Sequence, residues 1–309
     1  MTRGRPPSRR LGALRLPGSR ARTPAHPAMD DAQRSALIGF LERPRFEILP
    51  LPGVEERVLA HLQRTVKVTV TASPKLGLDA TLGVAERLAQ HGYTVVPHLS
   101  ARLVRDEAHL RDLLHRLRAA GVRELFVPAG DAPRPGRFQS ASELLPAMGD
   151  LRAGFVEIGI TGYPETHHLI SDEATIEAMF EKAPMATYIV SQICFDPDTI
   201  RTWIAQVRAR GTGLPIWIGL PGSIDQARLV RISMKLGLGA SARFLRAHRG
   251  WLPRVLSRRF TPDALVGALA PSYADPVANV GGFHLYTFND LERTDRWRRE
   301  AIDRLASGR

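Results

Sequence analysis

The stretch VKVTVTASPKLGLDATLGVAERLAQHGYTVVPHLS, residues 66–100, contains one strand, one helix and a second strand in order. VKVTV (66–70) is a short β-branched run of the kind that forms a buried strand. LDATLGVAERLAQHG then sets Leu82, Ala85, Leu88 and Ala89 on one helical face and ends at Gly92, a helix stop. TVVPHL (94–99) resumes the strand pattern.

The same rhythm runs in both directions. Further strand-like runs are FEIL (46–49), ELFVPA (124–129), FVEIGI (155–160), TYIVSQ (187–192), PIWIGL (215–220) and FHLYTF (283–288), eight in all. EAHLRDLLHRLRAAG, ATIEAMFEKA and DTIRTWIAQVRARG carry helical spacing, and Gly121 and Gly211 repeat the stop signal. DEAHL and DPDTI put acids at helix starts, where the macrodipole favours them. Eight strands, each followed by a helix, predict a (β/α)8 TIM barrel over residues 29–309. An open doubly wound sheet would carry a G-x-G-x-x-G turn, and ASPKLGL has the wrong spacing for one. Residues 236–260 read as a helical excursion before the last strand, and PSYADPVANVGG (271–282) as the least regular connection.

Composition sets limits. The chain has 309 residues, 44% hydrophobic, and no run near the ~20 apolar residues that span a bilayer. A single cysteine, Cys194, excludes an internal disulfide and a multi-cysteine zinc cluster, and favours a reducing cytoplasm. Cys194 itself reads as a packing residue. The net charge of +12 is concentrated at one end: residues 1–28 hold Arg3, Arg5, Arg9, Arg10, Arg15, Arg20 and Arg22 and no acid, leaving +5 for the rest. That tail, rich in Pro, Gly and Ser, is expected to be disordered. MDDAQRSALIGFL, from Met29, starts the domain. The tail lacks interleaved aromatics, so nucleic acid is not expected as a partner. A membrane is not expected either, and a homo-oligomer is compatible with the sequence.

A barrel keeps its active site at the carboxyl ends of its strands. Polar residues gather there: Glu47, Thr69, His98 and Ser100, Gly130 and Asp131, Tyr163, Glu165, His167 and His168, Gln192, Ser223, Tyr286, Thr287 and Asn289. Together they suggest an enzyme with a polar mouth. Serine-elbow, P-loop and H-E-x-x-H signatures are missing, and adjacent histidines in a loop normally point apart, so no metal is expected.

FEILP, VTVTA, PHLS, AGDAP, GYPETHH, SQICFD, PIWIGLPGS and GFHLYTFN, taken in order over roughly residues 45–300, resemble the methylenetetrahydrofolate reductase family. The resemblance implies reduction of 5,10-methylenetetrahydrofolate to 5-methyltetrahydrofolate, with NAD(P)H as hydride donor and FAD at the carboxyl face. It makes Glu47 the general acid that protonates N10 of the folate. It adds Asp131, near the flavin and pterin, and Gln192, against the folate, as further catalytic residues. Thr69, His98, Ser100, Gly130, Tyr163 and His167 fall on flavin-contacting positions, and Ile224, Tyr286 and Phe288 on the substrate pocket. A carboxyl among apolar neighbours is expected to hold its proton more tightly than in water, as an acid catalyst must. The alternative for Glu47 is a buried carboxylate paired to an arginine.

The sequence departs from the family pattern at Ala129 and Asp290, where arginine is usual, at Ser140, near a usual tyrosine, and in the shifted proline of ILPLP. Two variants therefore accompany the main reading. One is direct hydride transfer from NADH without flavin. The other is a degenerate barrel that binds folate without catalysis.

Overall fold

The computed structural model describes residues 29–152, 154–165, 172–225 and 259–307. The tail 1–28, His167, His168 and most of the 236–260 excursion lie outside them. The barrel strands are β1 (Arg45–Ile48), β2 (Lys67–Val70), β3 (Val95–Pro97), β4 (Glu124–Phe126), β5 (Glu157–Gly162), β6 (Tyr188–Ser191), β7 (Ile216–Pro221) and, last in the chain, β10 (Val280–Tyr286). They pair in parallel in the order β3-β2-β1-β10-β7-β6-β5-β4. A bridge from His98 to Phe126 joins the two ends, with Leu99 N donating to Phe126 O at 2.8 Å, and closes the (β/α)8 barrel. A two-residue antiparallel ribbon, β8 (Ile224–Asp225) with β9 (Arg259–Phe260), sits beyond the end of β7.

Helices α1 (Asp31–Glu42), α2 (Val54–His61), α3 (Gly77–Gln90), α4 (Glu107–Ala119), α5 (Ala141–Met148), α6 (Asp172–Lys182), α7 (Pro197–Ala209), α8 (Asp263–Ala268) and α9 (Leu291–Ala306) accompany the strands. The first helix opens on a capping box, Asp30 with Gln33. The glycines foreseen as stops, Gly92, Gly121 and Gly211, all take positive φ. Alternation along each strand divides the core. Phe46, Ile48, Val68, Val70, Phe283 and Leu285 are fully buried in the layer shared with the helices. Arg45 and Glu47 take the opposite parity on β1 and point into the barrel.

The last strand begins at Val280, inside the stretch read as irregular. Its glycines conceal it in the sequence, because the strand needs them for space. Gly282 sits at φ 148°, and a Cβ there would lie 2.6 Å from the Trp217 ring.

The barrel floor is ionic. Arg45, 1% exposed, donates to Glu124 at 3.2 Å and to Glu157 at 2.8 Å, and Lys67 reaches the same two carboxylates at 2.5 and 3.3 Å. The Arg45 guanidinium also lies 4.0 Å from the Tyr188 ring centroid and 4.3 Å from that of Trp217. Arg45→Ala would leave Glu124 facing a single cation in the interior. Breaking a buried pair from one side costs about 3–5 kcal/mol. A fall of that size in urea-unfolding stability at pH about 7, with unchanged m-value, is the expected result.

Candidate active site

Glu47 is the last inward-facing residue of β1. Its register partners are Thr69 on β2 and Tyr286 on β10. Turn residues after β10 hold its backbone. Thr287 Oγ1 donates to Glu47 O at 2.6 Å, and the Asn289 amide clamps Leu49, accepting from its N at 2.8 Å and donating to its O at 3.0 Å. Phe288 and Asn289 adopt φ of 49° and 64°, the left-handed conformation that brings the amide back onto β1.

Two imidazoles flank the Glu47 carboxyl. His284 Nε2 lies 2.9 Å from Oε2, and His98 Nε2 lies 3.6 Å from the same oxygen. No lysine or arginine among the described residues pairs with Glu47. The neighbouring Arg45 is engaged by Glu124 and Glu157, so the arginine-paired alternative does not apply here. The Glu47 side chain is only 16% exposed, and burial raises its pKa from 4.5 to about 7, against an opposing pull from His98. Burial lowers His98 to about 4, with Glu47 opposing and His284 adding to the effect. His284 falls to about 3, chiefly by burial and further through Arg45. Near neutral pH the site therefore holds two uncharged imidazoles and a carboxyl close to its midpoint.

The remaining sequence-derived residues divide into groups. Thr69 is buried and its Oγ1 has no partner among the described residues. Tyr286 donates to Ser191 O at 3.1 Å, and burial, with Glu47 and Tyr163 adding, keeps its hydroxyl protonated. Ile224, Tyr286 and Phe288 come together in one apolar wall with Ile193, Phe195 and Phe260, the last delivered by the ribbon. Gln192 folds its Oε1 onto Ile193 N at 3.1 Å. Gly130 and Asp131 are exposed after β4, and Asp131 makes no ion pair with a described residue. Gly130 has φ 85°, and a Cβ there would strike Ser100 Oγ, which itself donates to Ala129 O at 3.3 Å. Tyr163, half-buried, bonds Thr161, and burial raises its pKa. His167 lies outside the described residues. Buried Cys194 donates from Sγ to Glu165 Oε1 at 3.2 Å, and burial raises its pKa, so it packs as a thiol.

His284 is the neighbour that the sequence reading did not select. It lies within an aromatic run and reads as core. Its signal is parity: His284 is two residues before Tyr286 and therefore shares its inward face.

Below pH about 4.5 folding keeps Glu47 protonated, as the unfolded chain does, and the burial costs little. Between about 4.5 and 7 the unfolded chain ionises first, so stability falls as pH rises. Glu47→Gln removes this loss. Its stability relative to wild type is expected to increase by about 3 kcal/mol from pH about 4.5 to about 8 in urea unfolding. A difference that does not change with pH would remove the raised pKa.

The methylenetetrahydrofolate reductase family model matches residues 55–232, leaving Glu47 and β10 outside the match. Methylenetetrahydrofolate reductase 2 of Saccharomyces cerevisiae is 28% identical over 132 residues, 39% of this chain; the match spans 22% of the yeast protein's length. A putative lyase/mutase from Burkholderia cenocepacia shares 16% identity at a TM-score of 0.45, over 90% of this chain and 87% of that one. Oxaloacetate acetylhydrolase in complex with oxalate shares 11% identity at 0.45, over 78% and 92%. With more than half of its residues inside the family model, the chain belongs to the methylenetetrahydrofolate reductase family.

Proposed function

We propose that this barrel reduces 5,10-methylenetetrahydrofolate to 5-methyltetrahydrofolate with NAD(P)H, with Glu47 as the general acid. One observation carries the reading. The Glu47 carboxyl, near the carboxyl end of β1, lies beside two imidazoles with no cationic partner among the described residues, and burial pushes its pKa up to about 7. Such a group holds a proton near neutrality and can release it to a nitrogen. Glu47 gives its proton to N10 of the folate as the bond from N10 to the bridging carbon breaks. The iminium left at N5 takes a hydride on that carbon and becomes the methyl group. Solvent then reprotonates Glu47. The apolar wall of Ile193, Phe195, Ile224, Phe260, Tyr286 and Phe288 suits the flat rings of pterin and nicotinamide.

Thr69, with a buried hydroxyl that lacks a partner among the described residues, and the open Gly130–Asp131 turn fit the ring end of FAD. His98, Ser100 and Tyr163 would complete its surroundings, Asp131 would meet its edge, and Gln192 would meet the folate. When bound, FAD supplies the relay of hydride from nicotinamide to folate. Ala129 favours the second reading, direct transfer from NADH. It is uncharged and only half-buried, and its carbonyl is taken up by Ser100 and by Arg102 N. It therefore offers a diphosphate no countercharge.

Purified protein is desalted after incubation with FAD, its visible spectrum recorded, and NAD(P)H oxidation followed with methylenetetrahydrofolate. Retained flavin bands support the FAD route. A colourless protein that still oxidises NADH supports direct transfer. Glu47→Gln should bind folate and lose about 10²–10⁴-fold in turnover. Turnover near the wild-type rate in that variant would reject the acid assignment.

A further inference from the structure

We propose that His284 is a positioning residue whose Nε2–H donates to Glu47 Oε2, so that the acidic proton of Glu47 resides on Oε1. The inference rests on the acid role proposed for Glu47 and goes beyond it by assigning the tautomer and the proton-bearing oxygen.

A neutral imidazole has one N–H, and the 2.9 Å contact leaves two arrangements for it. If Nδ1 carried the hydrogen, Glu47 would have to donate to Nε2, and the Nδ1–H would be a buried donor. Nδ1 is sealed from solvent and has no partner among the described residues. Orphaned buried N–H donors are rare, whereas acceptors short of a partner are better tolerated. The hydrogen therefore belongs on Nε2, where it is used, and the lone pair is left on Nδ1.

The two oxygens of Glu47 are not equivalent. His284 and His98 both converge on Oε2, at 2.9 and 3.6 Å. Oε1 takes no hydrogen bond from a described residue and is not among the sealed polar atoms, so the exposed part of the side chain includes it. With Nε2–H donating, Oε2 stays an acceptor in both protonation states of Glu47. The proton can leave Oε1 and return without any change at His284. In the opposite tautomer the acidic proton would be enclosed between Glu47 and His284, and its loss would set a carboxylate oxygen against a lone pair.

The groups facing Glu47 are His98 just after β3, His284 and Tyr286 from β10, and Arg45 one inward position earlier on β1. Burial lowers His98 to about 4 and His284 to about 3 and raises the Tyr286 hydroxyl, and Arg45 is held by Glu124 and Glu157, so a midpoint near 7 belongs to Glu47.

The test does not depend on turnover. Histidine-¹⁵N NMR of the wild-type protein reads the tautomer, with the His284 signals assigned by their loss in His284→Gln. The expected result is a neutral ring with hydrogen on Nε2 on both sides of the Glu47 midpoint. Hydrogen on Nδ1, or a charged ring, overturns the proposal. Infrared spectroscopy follows the protonated carboxyl of Glu47, assigned by its loss in Glu47→Gln. In His284→Phe the carboxylate loses a donor, and its midpoint should rise by about one pH unit, tenfold in the ionisation constant. His284→Gln, which keeps an Nε2–H, should restore it toward wild type. A midpoint that falls or stays fixed in His284→Phe overturns the proposal. If His284→Phe does not fold, the wild-type NMR result decides alone. Should Glu47→Gln keep its turnover, the acid role of Glu47 fails while the tautomer and midpoint still answer this question.

Discussion

Arg45 determines what Glu47 can be. The two share the inward face of β1, and elementary electrostatics would let them interact. An opposite charge within ~4–6 Å lowers a carboxyl pKa by about 1–3 pH units, which would leave Glu47 permanently ionised. Instead the guanidinium is taken up at the floor by Glu124 and Glu157 and held between the rings of Tyr188 and Trp217. Lys67 completes the group, so two cations meet two carboxylates. The charge closes on itself below Glu47, and the level above contains a carboxyl with neutral neighbours.

Position is set from the other side of the seam between β1 and β10. Thr287 and Asn289 fix the carbonyl of Glu47 and both backbone groups of Leu49. The left-handed conformation at Phe288 and Asn289 costs some backbone strain, which these bonds offset. The same strand supplies His284 and Tyr286, while the turn after it places Phe288 in the apolar wall. One strand and its turn thus fix the carboxyl's location, its hydrogen-bond partner and part of the surface opposite.

Much of this was legible in the sequence, and the remainder has physical reasons for being hidden. The β-branched runs and the glycine stops identified the strands and the barrel, because local propensity and burial agree there. Glu47 was legible as a charge in an apolar run. Gly281 and Gly282 hid the start of β10, since they serve the Trp217 ring rather than strand propensity. His284 was hidden because a histidine among Phe283, Leu285 and Tyr286 looks like core until the register with Arg45 is known. The destination of Arg45 was hidden for a different reason. Its partners lie 79 and 112 residues away, and only barrel closure brings them together.

The floor and the acid are consequently one electrostatic arrangement. Arg45 is the register partner of His284, and its charge adds to burial in keeping that ring neutral. A neutral His284 can approach Glu47 as a dipole without neutralising it. A protonated His284 would act as the missing cation and pull the carboxyl back toward its ordinary range. The buried arginine therefore favours the protonated acid twice: it is committed to other carboxylates, and it opposes a charge on the group closest to Glu47. Both effects follow from two residues of β1 that face the same way.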